Sequence, residues 1–330
     1  MGNGIKMRSA VDAQDKPYSI EELHAAHDAK ITIPDLLCPD PICRKAVRFV
    51  PRHQQNRKNR IEPVDVPAYI GLTSDSVHAD GCRYDAAKRI AVIVDQSDPD
   101  FVSALHEGKR DLRLLVLHNG LSGKPLSGNA PAPPGTLPAN GLGKATKQFI
   151  PSGKNLDSYL RTTADLLELR ELCESDAVLA AQLTLRFGTK RIAWNDFFFT
   201  RDRYDEAWEL LQKAGANAHP IALVGKVKSH HSPKPDAKYK STFLNCRPLY
   251  RKTDTPDTID SFEVSVNHID AAWLCSFPVG ANIIMFGLWE CKDAIENSTK
   301  DKNDEARTIT YVTRKLALRP KFKQQILKAF

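Results

Sequence analysis

Four residues, Cys38, Cys43, His78 and Cys82, have the types and spacing to hold a metal ion. The run LLCPDPICRKAVRFV sets Cys38 and Cys43 around a proline-rich turn as C-x4-C, and SVHADGCRYD supplies His78 and Cys82 as H-x3-C. Two ligand pairs, each within one turn and joined by a loop, can close a tetrahedral Cys3His site, and three thiolates with an imidazole suit zinc. Four protein ligands leave no open coordination position, so the role expected of the ion is structural. Its binding would contribute folding free energy on the order of 10 kcal/mol to a short module with few core residues. C-x4-C is looser than C-x2-C and the intervening loop is long, which leaves three unrelated thiols beside a loop histidine as the alternative.

Other groups that could do chemistry have plainer readings. His24 and His27 lie one turn apart on an expected helix without a further ligand nearby, and so read as surface residues. Asp95, Asp98 and Asp100 precede an expected helix, where carboxylates serve as caps. GLGKAT resembles a phosphate loop, but Pro138 and Ala145 stand where Walker A requires its first glycine and its Ser or Thr. There is no G-x-S-x-G elbow, no HExxH, and no GxGxxG following a strand. His230 and His231 fall in a polar loop, and His268 beside Asp270 lacks a nucleophile at fixed spacing. A nuclease built from scattered carboxylates is the enzymatic alternative, because such sites leave weak local signatures.

The cations are placed unevenly. Between the two ligand pairs, RKAVRFVPRHQQNRKNR carries Arg44, Lys45, Arg48, Arg52, Arg57, Lys58 and Arg60 with no acidic residue before Glu62, a plausible contact for a polyanion backbone. The net charge is +7, and from His219 to Phe330 there are 18 Lys and Arg against 12 Asp and Glu, so most of the excess sits in the last third. The alternative to a phosphate-binding role is a solvated lysine-rich surface.

That last third is organised around DAAWLCSFPVGANIIMFGLWEC, residues 270 to 291, which reads as a short helix, a Pro-Val-Gly break and a strand. Ile283, Met285 and Trp289 alternate along the strand, with Gly280 and Gly287 at its ends. Before it, IALVGKVKS, STFLNCRPLY and SFEVSVNHI are β-rich runs separated by polar loops; after it, the polar loop KDAIENSTKDKNDE precedes a fifth run, RTITYVTRKLAL. Five strands with a helix between the third and fourth is the order of an OB-fold. Here the chain resembles the OB-fold of bacterial single-stranded DNA-binding proteins over about a third of its length: IALVGKVKS looks like the opening strand with its glycine, and AAWLCSFPVGANIIMFGLWE like the helix and glycine-led strand. The family's acidic C-terminal tail has no counterpart in KFKQQILKAF.

The resemblance implies a barrel surface for an unpaired strand, with aromatics on bases and cations on phosphates. Lys226 and Lys228 on the first strand, Phe243, Asn245 and Arg247 on one face of the second, and Arg314 with Lys315 on the fifth are the candidates. The same alignment leaves Ile284, Phe286 and Leu288 outside the barrel, a face apolar enough to require cover from the middle region or from a second copy of the chain.

Elsewhere the elements are read from period and caps. Residues 1–30 form a polar tail and a helix with Ser19 and Glu22 at capping-box spacing. Residues 31–118 form the zinc-binding basic module, whose last part reads as a strand at KRIAVIVD, a helix at SDPDFVSALHEG and an apolar run at RDLRLLVLH. Cys38, Cys43, His78 and Cys82 also hold the places of the ligands in the N-terminal zinc module that this segment resembles, that of competence-associated bacterial proteins. The acidic and lysine residues of that family's nuclease domain are not found here, so its activity is not carried over. Residues 119–155, rich in Gly, Pro, Ala and Ser, read as a flexible linker. Residues 156–217 read as an α/β middle region: a helix at LDSYLRTTADLLELRELC, two strands around Gly188, and a helix from Asp202 closed by Gly215. Trp194, Phe197, Phe199, Tyr204 and Trp208 read as its packing core.

With 330 residues, 42% hydrophobic and 26% charged, the chain has the composition of a water-soluble globular protein of two or three domains. Seven cysteines in no dense pattern fit a reducing cytoplasm, and neither an 18-residue apolar run nor a signal-peptide core is present. The expected fold class is α+β: a zinc-stabilised small N-terminal domain, the linker, and a C-terminal α+β region whose residues 218–330 form a five-stranded OB-fold β-barrel. The expected function is non-catalytic binding of single-stranded nucleic acid, DNA in preference to RNA, with structural Zn2+, in a cytoplasmic protein of bacterial or mobile-element origin. A zinc-module nuclease acting on DNA and a protein-interaction scaffold built on the barrel are the alternatives.

Overall fold

The computed structural model describes residues 5–55, 64–74, 76–97, 102–106, 109–122, 153–173, 177–233, 241–301 and 307–329. The fold is mixed α+β, with large sheets and three apolar cores.

The first core lies beneath a five-stranded sheet made of β1 (Ser9–Val11), β2 (Pro17–Ser19), β3 (Leu36–Leu37), β4 (Ala46–Val50) and β7 (Tyr69–Leu72). Between β2 and β3 runs α1 (Ile20–Asp28), which starts with the expected reciprocal Ser19–Glu22 box and buries Leu23. β5 (His53–Gln55) and β6 (Val64–Val66) pair as a separate hairpin. Val47 is buried between exposed Ala46 and Arg48, the alternation of a strand with one covered face. Met7, Ala10, Leu23, Leu36, Val47, Ile70 and Leu72 fill this core together with the thiols of Cys38, Cys43 and Cys82.

The next segment departs from the sequence reading. KRIAVIVD lies in a helix, α2 (Ala86–Asp95), capped by the Asp85 carboxylate; Ala86, Ile90 and Val94 are buried at four-residue spacing. Its β-branched residues suggested a strand, but the burial has the helical period, and packing overrides propensity. SDPDFVSALHEG supplies β8 (Val102–His106) rather than a helix, and RDLRLLVLH divides between β9 (Lys109–Arg113) and α3 (Leu114–Ser122). Then come α4 (Gly153–Leu172), α5 (Ala177–Gln182), β10 (Leu183–Phe187), β11 (Lys190–Ile192), α6 (Trp194–Phe197), β12 (Phe198–Phe199) and α7 (Tyr204–Ala214). β10 and β11 turn at Gly188, with φ 63°, and Gly215, with φ 52°, ends α7. β9 pairs in parallel with β10, so chain on either side of the proline- and glycine-rich stretch builds one sheet, ordered β11-β10-β9-β8. Of residues 119–155, the first four end α3 and the last three begin α4; the remainder, including GLGKAT, lies outside the described residues. Trp194, Phe197, Phe199 and Tyr204 are buried as expected, and Trp208 is partly buried.

The C-terminal part begins with β13 (Ile221–His231), β14 (Thr242–Cys246), β15 (Leu249–Lys252), β16 (Thr258–His268) and α8 (Ala271–Cys275). β17 (Asn282–Gly287), β18 (Trp289–Lys300), β19 (Thr308–Leu318) and β20 (Ile326–Lys328) complete it. The β-rich runs and the short helix form, but STFLNCRPLY divides between β14 and β15, and Trp289, expected on the strand with Ile283 and Met285, opens β18 beyond Gly287. In place of the expected five-stranded barrel the pairing gives one nine-stranded sheet, open between β18 and β20 among the described residues. The main strand order is β18-β19-β16-β14-β13-β17-β20, with β16 and β19 parallel. The expected polar loop after Cys291 is instead the outer part of β18: residues 292–300 are exposed, yet β19 pairs with them through Lys300, so the ladder rather than burial sets their conformation. At Gly225 a Cβ would fall 2.6 Å from Cys246 Sγ and 3.0 Å from both Met285 Cε and the Tyr204 hydroxyl, which donates to Val224 O at 2.9 Å. No side chain fits there.

β17 separates two cores. Ile283 and Met285 join Leu223, Val227 and Trp289 on one face, while Ile284 and Phe286, at 0% and 1% exposure, join Leu117, Leu121 and Leu156 on the other. The apolar outer face is therefore covered within the chain, by α3 and α4, and Ile284, Phe286 and the partly buried Leu288 are not left for a second copy. Phe286→Ala should cost about 3–5 kcal/mol; a denaturant midpoint within error of the unsubstituted protein would show that this contact contributes nothing. No helix among the described residues is long and apolar enough to cross a membrane.

Candidate metal centre and outer sheet face

Two tight turns bring the metal-binding candidates together. Cys38 follows β3 and Cys43 closes the turn that leads to β4, while His78 and Cys82 lie in the loop between β7 and α2. Cys43 N–H and Arg44 N–H both donate to Asp40 O, with Arg44 at φ 48°, and Cys82 N–H donates to Ala79 O. Their four ligand atoms all lie within 4.8 Å of one another. Cys38 Sγ is 3.8 Å from Cys82 Sγ, and His78 Nδ1 is 3.3 Å from Cys43 Sγ and 3.5 Å from Cys82 Sγ. With bonds of about 2.3 Å to sulfur and 2.0–2.1 Å to nitrogen, a tetrahedral zinc would hold sulfurs about 3.8 Å apart and sulfur from nitrogen about 3.6 Å. The observed separations fit those edges, so the cluster can hold a tetrahedral ion.

The surroundings act differently on the four donors, favouring the ligand form at Cys43 and His78. Ala79 N–H donates to Cys43 Sγ at 3.3 Å and Tyr84 N–H to Cys82 Sγ at 3.4 Å. Burial raises the Cys38 and Cys82 thiols. At Cys43 burial acts the same way, but amide donation from Ala79 and Lys45 outweighs it and the thiol is lowered. Burial also lowers His78, against the pull of the Asp85 and Asp40 carboxylates, keeping the imidazole in the neutral form that a metal requires. Tyr84, 6.1 Å from the His78 ring, packs against both the first core and the core of α2 and α4. By contrast, His24 is half-buried and His27 exposed beside Asp28, and no other group of metal-binding side chains is found among the described residues.

The basic stretch is only partly described. Arg48 Nε donates to Leu72 O at 3.0 Å and Arg52 is exposed, while Arg57, Lys58 and Arg60 lie outside the described residues, as do Asp98 and Asp100. Asp95 pairs with Arg110.

On the C-terminal sheet, register decides which candidates share a face. Leu244, Cys246, Val264, Val266, Leu316 and Leu318 are buried, so Phe243, Asn245, Arg247, Glu263, Ser265, Lys315 and Ala317 take the outer face. Arg247 N–H donates to Lys226 O at 2.8 Å, which sets these two side by side. Asn245 pairs with Ser265, so Arg247 and Glu263, two residues further along antiparallel strands, are neighbours. Glu263 pairs with Lys315, and Lys315 with Lys292. Lys226 on β13, Arg247 just beyond β14, Glu263 on β16, Lys315 on β19 and Lys292 on β18 thus form one row. Lys228 is exposed at the register shift between Val227 and Ser229.

Arg314 does not join this row. It faces the other way with its partner Phe262, lies 5.3 Å from the ring centres of Trp208 and Phe262, and pairs with Asp260. Adjacent residues of a strand point to opposite faces, so Arg314 and Lys315 could not act as a pair. Sequence reasoning also missed Lys292, inside the supposed loop, and the outward Tyr250 and Tyr311, whose rings lie 6.3 Å apart. The alternation of LYRK and TITYVTRK held the signal for the tyrosines.

No protein-family model matches the chain, and no curated protein matches it. Among solved structures it is similar to the small single-stranded DNA-binding protein from Streptomyces coelicolor, with 16% identity over 29% of this chain and 87% of that one. The TM-score is 0.16, and a likeness of that order carries no argument about fold or activity.

Proposed function

We propose that this protein binds single-stranded nucleic acid without cutting it, on the outer face of its C-terminal sheet, and that a zinc ion in the Cys3His centre holds its N-terminal module together. The row of cations on Lys226, Arg247, Lys315 and Lys292 is the observation that carries the reading. At about 4.8 Å per strand the row is about 19 Å long, a scale suited to a single-strand groove of a few nucleotides. Only Glu263 interrupts it, paired with Lys315 at 3.2 Å in an exposed contact that a phosphate can replace at little cost. Phe243, with Asn245, flanks the row on one side, and Tyr250 with Tyr311 on the other. These are the aromatic and amide groups against which unpaired bases stack and hydrogen-bond.

The sheet, in this reading, is the wall of an OB-type barrel. Its support is the strand order: β13, β14 and β16 pair in succession, β17 pairs with the other edge of β13, and a short helix, α8, stands between β16 and β17, as in the OB order. α7 and α8 contribute Leu211 and Leu274 to the core beneath it. Lys228, exposed on β13, extends the positive surface.

Fluorescence anisotropy with labelled single-stranded DNA, single-stranded RNA and duplex DNA, with and without magnesium, tests the proposal. Retention of the single strands in preference to duplex, with intact oligonucleotide on a denaturing gel, is expected. Magnesium-dependent cleavage would establish a nuclease, and no retention at low salt would leave the sheet as a protein-binding scaffold.

A further inference from the structure

We infer that Asp40 is the positioning residue of the metal centre: one buried carboxylate, 5% exposed, ties the two ligand pairs together so that the four donors stand ready for the ion. The inference rests on the reading of Cys38, Cys43, His78 and Cys82 as a zinc site. Asp40 lies inside the first pair. Its Oδ1 accepts Ile42 N–H at 3.0 Å, within the turn that ends at Cys43, and its Oδ2 accepts Arg83 N–H at 2.8 Å, from the residue after Cys82. The main-chain carbonyl of the same residue accepts Cys43 N–H at 3.0 Å and Arg44 N–H at 3.2 Å. Through one side chain, therefore, a turn at residue 40 is fixed against a turn 43 residues further on. Cys43 Sγ also reaches the second turn, accepting Ala79 N–H at 3.3 Å, but it is itself a ligand; Asp40 makes the tie without belonging to the donor set, whose atoms otherwise meet as sulfur and nitrogen edges at 3.3–3.8 Å.

A carboxylate is the group this geometry needs. It offers two acceptor oxygens to two amide donors in different turns, whereas an asparagine offers one oxygen and would turn its NH2 toward the other amide. Residues that orient metal ligands without touching the ion affect affinity by about 10–100-fold. Asp40 makes no contact with the ion in this arrangement; it acts by keeping the pairs from drifting apart.

Cobalt(II), whose visible absorption reports its coordination, serves as the probe, with chelator competition giving affinity and stopped-flow mixing giving the release rate. Asp40→Asn should bind cobalt about 10–100-fold more weakly than the unsubstituted protein, release it faster, and keep the absorption of a tetrahedral Cys3His complex because the ligands are untouched. Leu23→Ala, which weakens the same core away from the ligand turns, provides the comparison, and tryptophan emission checks that the rest of the chain stays folded. Cobalt affinity of Asp40→Asn within about twofold of the unsubstituted protein, or an equal loss in Leu23→Ala, would overturn the positioning role. Failure of the unsubstituted protein to take up cobalt would instead overturn the metal site itself.

Discussion

Stripping zinc from the protein with a strong chelator is expected to abolish the order of residues 5–85 while the C-terminal sheet stays folded. Three of the ten buried residues in the N-terminal core are the cysteine ligands, and the other seven are spread over short strands and a single helix. A core of that size rarely supplies more than a few kcal/mol, whereas structural zinc contributes about 10–16 kcal/mol of binding free energy that is also folding free energy. Without the ion, three thiols and an imidazole are left buried or half-buried against one another, with only weak S–H contacts between them. Tyr84 spreads the effect, because it belongs to both the zinc-side core and the core of α2, so the start of α2 should loosen as well.

The tryptophans make this measurable. All four, Trp194, Trp208, Trp273 and Trp289, lie beyond the N-terminal module, so their emission reports the middle and C-terminal parts. Chelation should lower far-UV circular dichroism and open residues 5–85 to proteolysis while leaving tryptophan emission close to its starting value. Cys82→Ser should reproduce that state without chelator, since three ligands do not close the site. An unchanged melting curve after chelation, or purified protein free of zinc, would refute a structural metal.

Reversing charge on the row should have the second-largest effect. Arg247→Glu together with Lys292→Glu replaces two cations by two anions at exposed positions and leaves every buried residue in place. Loss of two phosphate contacts and two new repulsions should weaken single-strand binding by at least about 10-fold at low salt. Lys190→Glu with Arg191→Glu makes the same change in net charge on exposed residues of β11, in the separate β11-β10-β9-β8 sheet, and should lower affinity by no more than about twofold. Equal losses in the two variants would mean that net charge, and not a surface built by register, attracts the nucleic acid.

Much of this was legible in the chain because the signals were local. Cys38, Cys43, His78 and Cys82 were found from donor type and turn spacing alone, and the strands at Ile221, Thr242, Thr258, Asn282 and Thr308 from alternation between polar breaks. What could not be read depended on partners far away in sequence. The β-branched run at 88–95 is helical because Ile90 and Val94 pack against α4 and α5, and β8 is a strand because β9 pairs with it. The outer part of β18 has a loop's composition and became a strand through its ladder to β19, which hid Lys292. Asp40 carries no local signal in the sequence; its role depends on an amide that the second ligand pair brings to it. Arg314 and Lys315 were read as a unit, although strand period alone, applied strictly, would have separated them.

The salt dependence of single-strand affinity tests the central claim most directly. With three or four cations of the row on phosphates, a plot of log affinity against log salt should fall with a slope of about −2 to −3, at roughly −0.7 per contact. Arg247→Glu with Lys292→Glu should make that slope shallower by about 1.4. A slope near zero, or one that this double substitution leaves unchanged, would contradict the account.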